Sequence, residues 1–270
     1  MEDNKKEMLE KLKEKKPAME VRNLSFAYED HLILKNISLM IEEGKITTII
    51  GANGCGKSTL FSLMTKNLHP AHGKIFLHGK NIRHMRLNDF AKKVSIVHQY
   101  NTASDDITVE KLISYGRTPY MKLMGGYSEE DERLIEHAME VTGVLPYRDR
   151  EISQLSGGQR QRVFIAMALA QNTKILFLDE PTTYLDIRYQ LDILQLVRKL
   201  NEQYGITIVM VLHEMNQAIH FSDQIIGLKD GNVLIHGNPE EVITTESISK
   251  LYNVDLKVVN VDGQKFILTV

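Results

Sequence analysis

Residues 51–58 read Gly51-Ala-Asn-Gly-Cys-Gly-Lys57-Ser58 and match the pattern G-x-x-x-x-G-K-[ST]. An apolar, β-branched run from Ile46 to Ile50 precedes this stretch, and a segment of helical character follows it. The glycines let successive backbone N–H groups turn toward a phosphate chain, and a helix N-terminus adds partial positive charge. Lys57 would neutralise the β- and γ-phosphates, and Ser58 would ligate Mg²⁺. The stretch therefore predicts a nucleotide-phosphate site between a buried strand and a helix.

The predicted nucleotide-binding residues lie in this stretch and directly after it. They are Gly51, Asn53, Gly54, Cys55, Gly56, Lys57, Ser58 and Thr59. A glycine-rich turn without a ligand would account for the glycines, but it would not account for the adjacent lysine and serine. We therefore expect this loop to bind ATP with Mg²⁺.

Composition restricts the class of protein to which the chain belongs. Its 270 residues are 43% hydrophobic and 25% charged, which is typical of a globular protein and excludes collagen, coiled coil and disorder. Every uninterrupted apolar run, such as residues 208–212, is far shorter than the roughly 18 residues of a membrane span. The single cysteine and the charged N-terminus predict a reducing, cytoplasmic setting. The net charge of -2 argues against a nucleic-acid partner.

The order of apolar patterns along the chain predicts an α/β protein. The pattern predicts a charged tail over residues 1–18 and the main domain over residues 19–240, with a helical subdomain at about residues 100–170. Residues 241–270 are predicted to form a C-terminal helix and a β-hairpin around Asp262-Gly263. The predicted strands are Met19–Phe26, Leu32–Ile41, Ile46–Ile50, Val94–Val97, Lys174–Leu178, Thr207–Leu212 and Gln224–Leu228. The predicted helices are Val109–Tyr115 and Glu129–Gly143, the second with Leu134, His137, Ala138 and Val141 on one face.

A second candidate site follows the apolar run that begins at Ile175. This run ends in Asp179 and Glu180, where the first carboxylate could hold Mg²⁺ through water and the second could polarise an attacking water. Acidic residues at strand ends also cap helices, so the pair alone is weak evidence for a metal or catalytic site. It becomes strong evidence because a phosphate-binding loop precedes it in the chain. This arrangement is the Walker B pattern.

The segment Leu155-Ser156-Gly157-Gly158-Gln159 is a second glycine-rich turn at the start of a helix. Ser156 as a simple helix cap, with two glycines allowing a tight entry, is the alternative interpretation. The segment resembles the signature sequence of ATP-binding cassette (ABC) ATPases. The resemblance implies a P-loop NTPase core with an antiparallel β subdomain and a helical signature subdomain. It also implies that Ser156, Gly157, Gly158 and Gln159 meet the γ-phosphate held by the opposite subunit of a head-to-tail dimer.

Four further residues resemble family positions in the expected order. Gln99 resembles the Q-loop glutamine, which would order water and Mg²⁺, and Asp186 resembles the D-loop aspartate. His213 resembles the switch histidine, and Tyr28 lies where the family stacks an aromatic ring on adenine. The resemblance implies that Glu180, Gln99 and His213 form the catalytic set of an ATPase, and that Ser58, Gln99 and Asp179 hold the metal.

Three segments narrow the resemblance to the ATPases of bacterial importers for ferric siderophores, haem and cobalamin. They are residues 181–187, 115–120 and 212–218. Ala52 and Glu214 depart from the residues common in the family, without changing a catalytic role. The resemblance implies separate transmembrane permease subunits, contacted by about residues 100–127, and, indirectly, an extracytoplasmic substrate-binding protein. The chain is then expected at the cytoplasmic face of the cell membrane, as a peripheral subunit.

The sequence is also compatible with other functions. An ABC ATPase for another cargo (haem, cobalamin or lipid) is the main alternative, and a soluble ABC ATPase for DNA repair is a second. The latter class has long coiled-coil insertions, whereas only 56 residues without a heptad pattern separate Gln99 from Ser156. A GTPase is disfavoured because no guanine-reading Asn-Lys-x-Asp stretch is present.

Overall fold

The computed structural model describes residues 17–121 and 126–269. The predicted tail therefore lies outside the described residues, except for its last two residues, as do residues 122–125 of the predicted permease-contacting segment. The described chain divides into two compact units. The first unit combines the described residues up to Met85 with those from His213 onward, and the second unit runs from Arg86 to Leu212.

The strands account for most of the predicted apolar runs. In chain order they are β1 (Pro17–Tyr28), β2 (His31–Glu42), β3 (Ile46–Ile50), β4 (His72–Leu77), β5 (Lys80–Asn81), β6 (Val94–Val97), β7 (Ile175–Asp179), β8 (Thr207–Val211), β9 (Gln224–Lys229), β10 (Asn232–Gly237), β11 (Lys257–Val261) and β12 (Gln264–Leu268). Strand β1 begins at Pro17, and Ala18 is fully buried. The predicted tail boundary at residue 18 is thus two residues too late, because the local charge pattern hides the start of this strand.

The helices alternate with these strands. They are α1 (Lys57–Met64), α2 (Leu87–Ala91), α3 (Val109–Ser114), α4 (Glu129–Thr142), α5 (Gly157–Ala170), α6 (Ile187–Tyr204), α7 (Met215–Phe221), α8 (Pro239–Val242) and α9 (Thr245–Tyr252). Within the described ranges, none of them combines the length and the apolar character that a bilayer crossing needs.

The first unit contains three sets of paired strands. Strands β2, β1, β4 and β5 form an antiparallel sheet in that order, and β11 pairs with β12 in the C-terminal hairpin. Strand β3 pairs in parallel with β9, which pairs antiparallel with β10. All five residues of β3 are buried. The loop that follows Ile50 thus starts from a fixed, buried strand.

The second unit combines parallel strands with a helical part. Strands β6, β7 and β8 run parallel, with β7 in the centre, and their carboxyl ends share one edge. Helices α3, α4 and α5 pack on one another. The buried Arg117 ties this part together, because its guanidinium donates to Asp131 Oδ1 (2.7 Å) and to the carbonyl of Ala170 (2.8 Å).

The buried face of α4 agrees in part with the predicted one, because Ala138 and Val141 are buried as expected. Ile135, Ala138 and Met139 are among its buried residues, whereas half of the His137 side chain is exposed. The prediction that His137 lies in the apolar stripe is wrong, because Ile135 and Met139, four residues apart, are buried on this helix instead. The predicted helix end at Gly143 is confirmed: Gly143 is the C-cap, with φ of 73°.

Candidate functional site

The loop between β3 and α1 is a tight cradle in which two glycines are sterically required. A Cβ on Gly51 would lie 2.3 Å from the carbonyl oxygen of Leu228, and one on Gly56 would lie 2.6 Å from Cδ2 of Leu34. Both glycines also have positive φ, 145° and 104°. The backbone therefore turns between β2 and β9 along a path that other residues would block.

Lys57 is the first residue of α1 and is almost fully buried, at 5% exposure. Its Nζ donates to the carbonyls of Gly51 (2.8 Å) and Ala52 (3.1 Å), so the ammonium folds back over its own loop. The first N–H groups of a helix have no partner within the helix and favour an anion. An ammonium and helix N–H groups thus converge on one loop, as phosphate binding requires.

The other predicted residues of this loop divide by exposure. Ala52, Asn53, Gly54 and Ser58 are exposed, whereas Cys55, Gly56 and Thr59 are buried. Burial raises the pKa of the Cys55 thiol, with Lys57 acting in the opposite direction. The thiol is therefore a packing group of the cradle, and Ser58 is the residue whose hydroxyl faces solvent at the start of α1.

Tyr28 and His213 belong to the same unit as this loop. Tyr28 ends β1, is 51% exposed and packs edge-on against Phe26 with ring centroids 4.9 Å apart. Its ring is accessible for stacking, as the adenine prediction requires. His213 is exposed and lies two residues before α7, whose N-cap is Glu214.

In the second unit, Gln99 and Glu180 meet at the carboxyl ends of β6 and β7. Nε2 of Gln99 donates to Oε2 of Glu180 at 2.5 Å, and the hydroxyl of Thr183 donates to the same oxygen at 3.1 Å. Glu180 has φ of 47°, a conformation that is unusual for a residue with a side chain and is often found at functional sites. Two donors and a constrained backbone fix the orientation of this carboxylate.

The amide of Gln99 also has an oxygen, Oε1, that the bond to Glu180 does not use. Because Nε2 is committed to Glu180, Oε1 is the atom that can face a cation. Among the described residues, no group of three or more His, Cys, Asp or Glu side chains could hold a metal ion. An amide oxygen such as Oε1 of Gln99 suits Mg²⁺, which is commonly held by few protein oxygens together with substrate phosphates.

The predicted signature turn caps α5. The Ser156 hydroxyl accepts from the N–H of Gln159 (3.3 Å), and Oε1 of Gln159 accepts from the N–H of Ser156 (2.9 Å). A Cβ on Gly158 would lie 2.4 Å from the Tyr189 ring, whereas one on Gly157 would make only an ordinary contact with Leu185. Within this turn, Ser156 and Gly157 are exposed, whereas Leu155 and Gly158 are buried.

The segment after Glu180 contains another residue with a positive φ. Tyr184 has φ of 64° and is 82% exposed, and its hydroxyl lies 3.2 Å from that of Tyr100. Asp186 accepts from the N–H of Tyr189 at 3.1 Å and thereby caps α6. Tyr189, which contacts Gly158, is a residue that the sequence motifs did not predict; only its position three residues after a capping aspartate marks it.

The family model described as "ABC transporter" matches residues 34–183 of the chain. This match covers more than half of the sequence and includes both glycine-rich turns and the Asp179-Glu180 pair. The chain belongs to the ABC transporter family. As an ABC ATPase it binds and hydrolyses ATP, and its fold is the α/β P-loop NTPase fold predicted from the sequence.

Relatives of this ABC ATPase include proteins named as ATP-binding subunits of iron importers. The iron(3+)-hydroxamate import ATP-binding protein FhuC of Bacillus subtilis is 45% identical over 242 residues, 90% of each chain. The ferric enterobactin transport ATP-binding protein FepC of Escherichia coli is 40% identical over 237 residues, 88% of each chain.

Two solved structures share the fold of this ABC ATPase. CbiO1 from Clostridium perfringens, part of the ABC transporter complex CbiONQ, has a TM-score of 0.76 at 30% identity and covers 87% of this chain and 94% of its own. The cassette MJ0796, a dimer in a post-hydrolysis state with ADP and Pi, has a TM-score of 0.69 at 31% identity, covering 82% and 98%. ABC ATPases of this kind work as dimers with transmembrane permease subunits.

Proposed function

We propose that this chain is the ATP-hydrolysing subunit of an importer for ferric siderophore complexes. The observation that carries the proposal is the 45% identity, over nine-tenths of both chains, to an import ATP-binding protein for iron(3+)-hydroxamate. A second relative of similar coverage is named for ferric enterobactin. The cargo class common to both relatives is Fe³⁺ bound by a siderophore.

We assign the ATP-binding half-site to the loop 51–59 with Tyr28, and the catalytic set to Glu180, Gln99 and His213. Glu180 accepts the proton of the attacking water, because it is the carboxylate that two donors hold in a fixed orientation. Lys57 and His213 stabilise negative charge on the γ-phosphoryl group. Ser58, Gln99 and Asp179 supply the oxygens for Mg²⁺, which neutralises phosphate charge when bound.

We assign the opposite half-site to Ser156, Gly157, Gly158 and Gln159 of a second copy, with Asp186 in the D-loop. Support comes from the exposure of Ser156 and Gly157 at the start of α5, where a helix N-terminus favours an anion. Two ATP molecules would then join a head-to-tail dimer.

The domain organisation and location follow from this assignment. Residues 17–240 form the ATPase domain, since β1 begins at Pro17, with about 100–170 as its helical subdomain, and 241–270 form a C-terminal extension. The subunit works at the cytoplasmic face of the membrane on separate permease subunits, which receive their cargo from an extracytoplasmic substrate-binding protein.

Uptake of labelled ferric hydroxamate tests the cargo. Cells that lack the chain should lose this uptake, and the wild-type chain should restore it while Glu180→Gln does not. Uptake of labelled cobalamin and of haem in the same cells serves as the control. Normal uptake of ferric hydroxamate in the deletion strain would overturn the cargo assignment. It would leave the conclusion that the chain is an ATPase unchanged.

Lys57→Ala should weaken ATP binding by about 2–4 kcal/mol, which corresponds to a Kd roughly 30- to 1000-fold higher. The variant removes the ammonium that lies over the loop. Lys66→Ala is the matched control, since Lys66 Nζ also donates to a backbone carbonyl, that of Met85, in the same unit. Calorimetric titration with ATP measures both; equal affinities in the two variants would contradict the assignment of Lys57.

A further inference from the structure

The C-terminal hairpin is bonded to the helix that follows His213. Nδ2 of Asn216 donates to the carbonyl of Ile267 (3.1 Å), and the N–H of Ile267 donates to Oδ1 of Asn216 (2.8 Å). The side-chain amide thus pairs with both main-chain polar groups of Ile267, as a neighbouring strand would at the free edge of β12. A two-point pairing of this kind fixes both the distance and the orientation of the two elements.

Other contacts hold the same two elements together and anchor the hairpin. The rings of His220 and Phe266 lie 5.6 Å apart. Nζ of Lys265 donates to the carbonyl of Ile243 (2.8 Å), and the N–H of Val258 donates to the Thr245 hydroxyl (3.1 Å). The hairpin is therefore fixed to α8 and α9 and can in turn hold α7.

Helix α7 depends on such support because it is short. It has seven residues, and its N-cap Glu214 makes no side-chain capping bond. Isolated helices of this length are unstable in water, so tertiary contacts determine the position of α7. Since His213 lies two residues before Met215, the first residue of α7, a displacement of the first turn would also displace the histidine.

The same C-terminal segment reaches the phosphate loop. Burial raises the pKa of Tyr252 in α9 to about 12, with the backbone N–H of Gly51 acting in the opposite direction. Nζ of Lys229 in β9 donates to Oδ1 of Asn253 (2.5 Å) and holds the end of α9. The C-terminal end of α9 is thus held in place within the first unit.

We propose that the C-terminal segment, residues 245–268, is a positioning element for ATP hydrolysis that holds His213 through the pairing of Asn216 with Ile267. Asn216 is a positioning residue: it acts on the γ-phosphate only by fixing α7. The proposal rests on the catalytic role proposed above for His213.

Steady-state ATPase kinetics of the full chain test this proposal. Asn216→Ala should lower kcat by about 5- to 20-fold and leave KM for ATP within about twofold, because it displaces one catalytic side chain without touching the nucleotide loop. Phe266→Ala, on the hairpin side of the same contact, should lower kcat in the same way. The double variant should lose less than the product of the two single effects, since both changes release the same helix.

Two further variants separate the outcomes. Asn201→Ala removes an asparagine bond to a backbone carbonyl (Ile206, 2.8 Å) in the other unit, and should leave kcat unchanged at a similar loss of melting temperature. His213→Ala shows whether the histidine acts at all. A large effect of His213→Ala with no effect of Asn216→Ala and Phe266→Ala beyond that of Asn201→Ala would overturn the positioning role alone. Normal kcat for His213→Ala would overturn both this role and the proposed catalytic set.

Discussion

Glu180→Gln is expected to lower kcat for ATP hydrolysis by about 100- to 1000-fold while leaving ATP affinity within about threefold of wild type. The amide has the size of the carboxylate, and its oxygen can still accept from Gln99 and Thr183. It cannot accept a proton from water. The geometry of the site should therefore survive while the proton acceptor is lost, and single-turnover hydrolysis should show the loss directly.

A second glutamine–glutamate pair provides the control for this prediction. Nε2 of Gln224 donates to Oε1 of Glu42 in the first unit, so Glu42→Gln makes the same chemical change in the same kind of pair. This variant should retain turnover. Turnover near the wild-type level for Glu180→Gln, or an equal loss in both variants, would contradict the assignment of Glu180 as the general base.

The position of this glutamate was predictable because it depends on local sequence. Parallel strands end at one edge of a sheet, so the ends of two apolar runs bring Gln99 and Glu180 together. The cradle was predictable for the same reason, since the positive φ of Gly51 and Gly56 follows from glycines at fixed spacing. Both features depend on residues that are close in sequence, so the spacing within a motif is enough to predict them.

Contacts between distant segments were not predictable in this way. Ile267 lies 51 residues after Asn216, and nothing in either local pattern marks their pairing. The contact of Tyr189 with Gly158 is also invisible to a motif, although it determines which residue of the signature turn can be substituted. A periodic pattern reports which face of an element is buried, but not which side chain packs against it.

The contact between Tyr189 and Gly158 determines which variant can test whether two copies of the chain share each ATP site. A carboxylate introduced at Gly158 would collide with Tyr189, so Gly158→Asp would disturb folding as well as repel phosphate. Ser156→Asp avoids the collision. Aspartate caps helices as well as serine does, so α5 keeps its cap while the exposed turn gains a negative charge.

The test combines this variant with Lys57→Ala, both in the Glu180→Gln background so that an ATP-bound dimer accumulates. Homodimers of either variant have two defective sites. The Lys57→Ala homodimer lacks the cation in both sites, and the Ser156→Asp homodimer carries a repulsive carboxylate in both. A mixed dimer has one site with both defects and one intact site, in which an unchanged loop 51–58 faces an unchanged Ser156. One intact site at a hundredfold excess of ATP over its Kd stabilises the dimer by about 2.7 kcal/mol. Mixing should therefore raise the ATP-dependent dimerisation constant by about 100-fold over either variant alone.

Thr108→Asp makes the same kind of change at the N-cap of α3, where Thr108 accepts from the N–H of Lys111 (3.3 Å), and should leave ATP-dependent dimerisation intact without mixing. Analytical ultracentrifugation with differently labelled chains measures dimer formation and verifies the exchange of subunits. If loop and turn served the same ATP within one chain, every chain in the mixture would have a defective site and mixing would restore nothing. Absence of recovery in verified mixed dimers would thus contradict the assignment of Ser156 to the partner's ATP, and with it the head-to-tail arrangement.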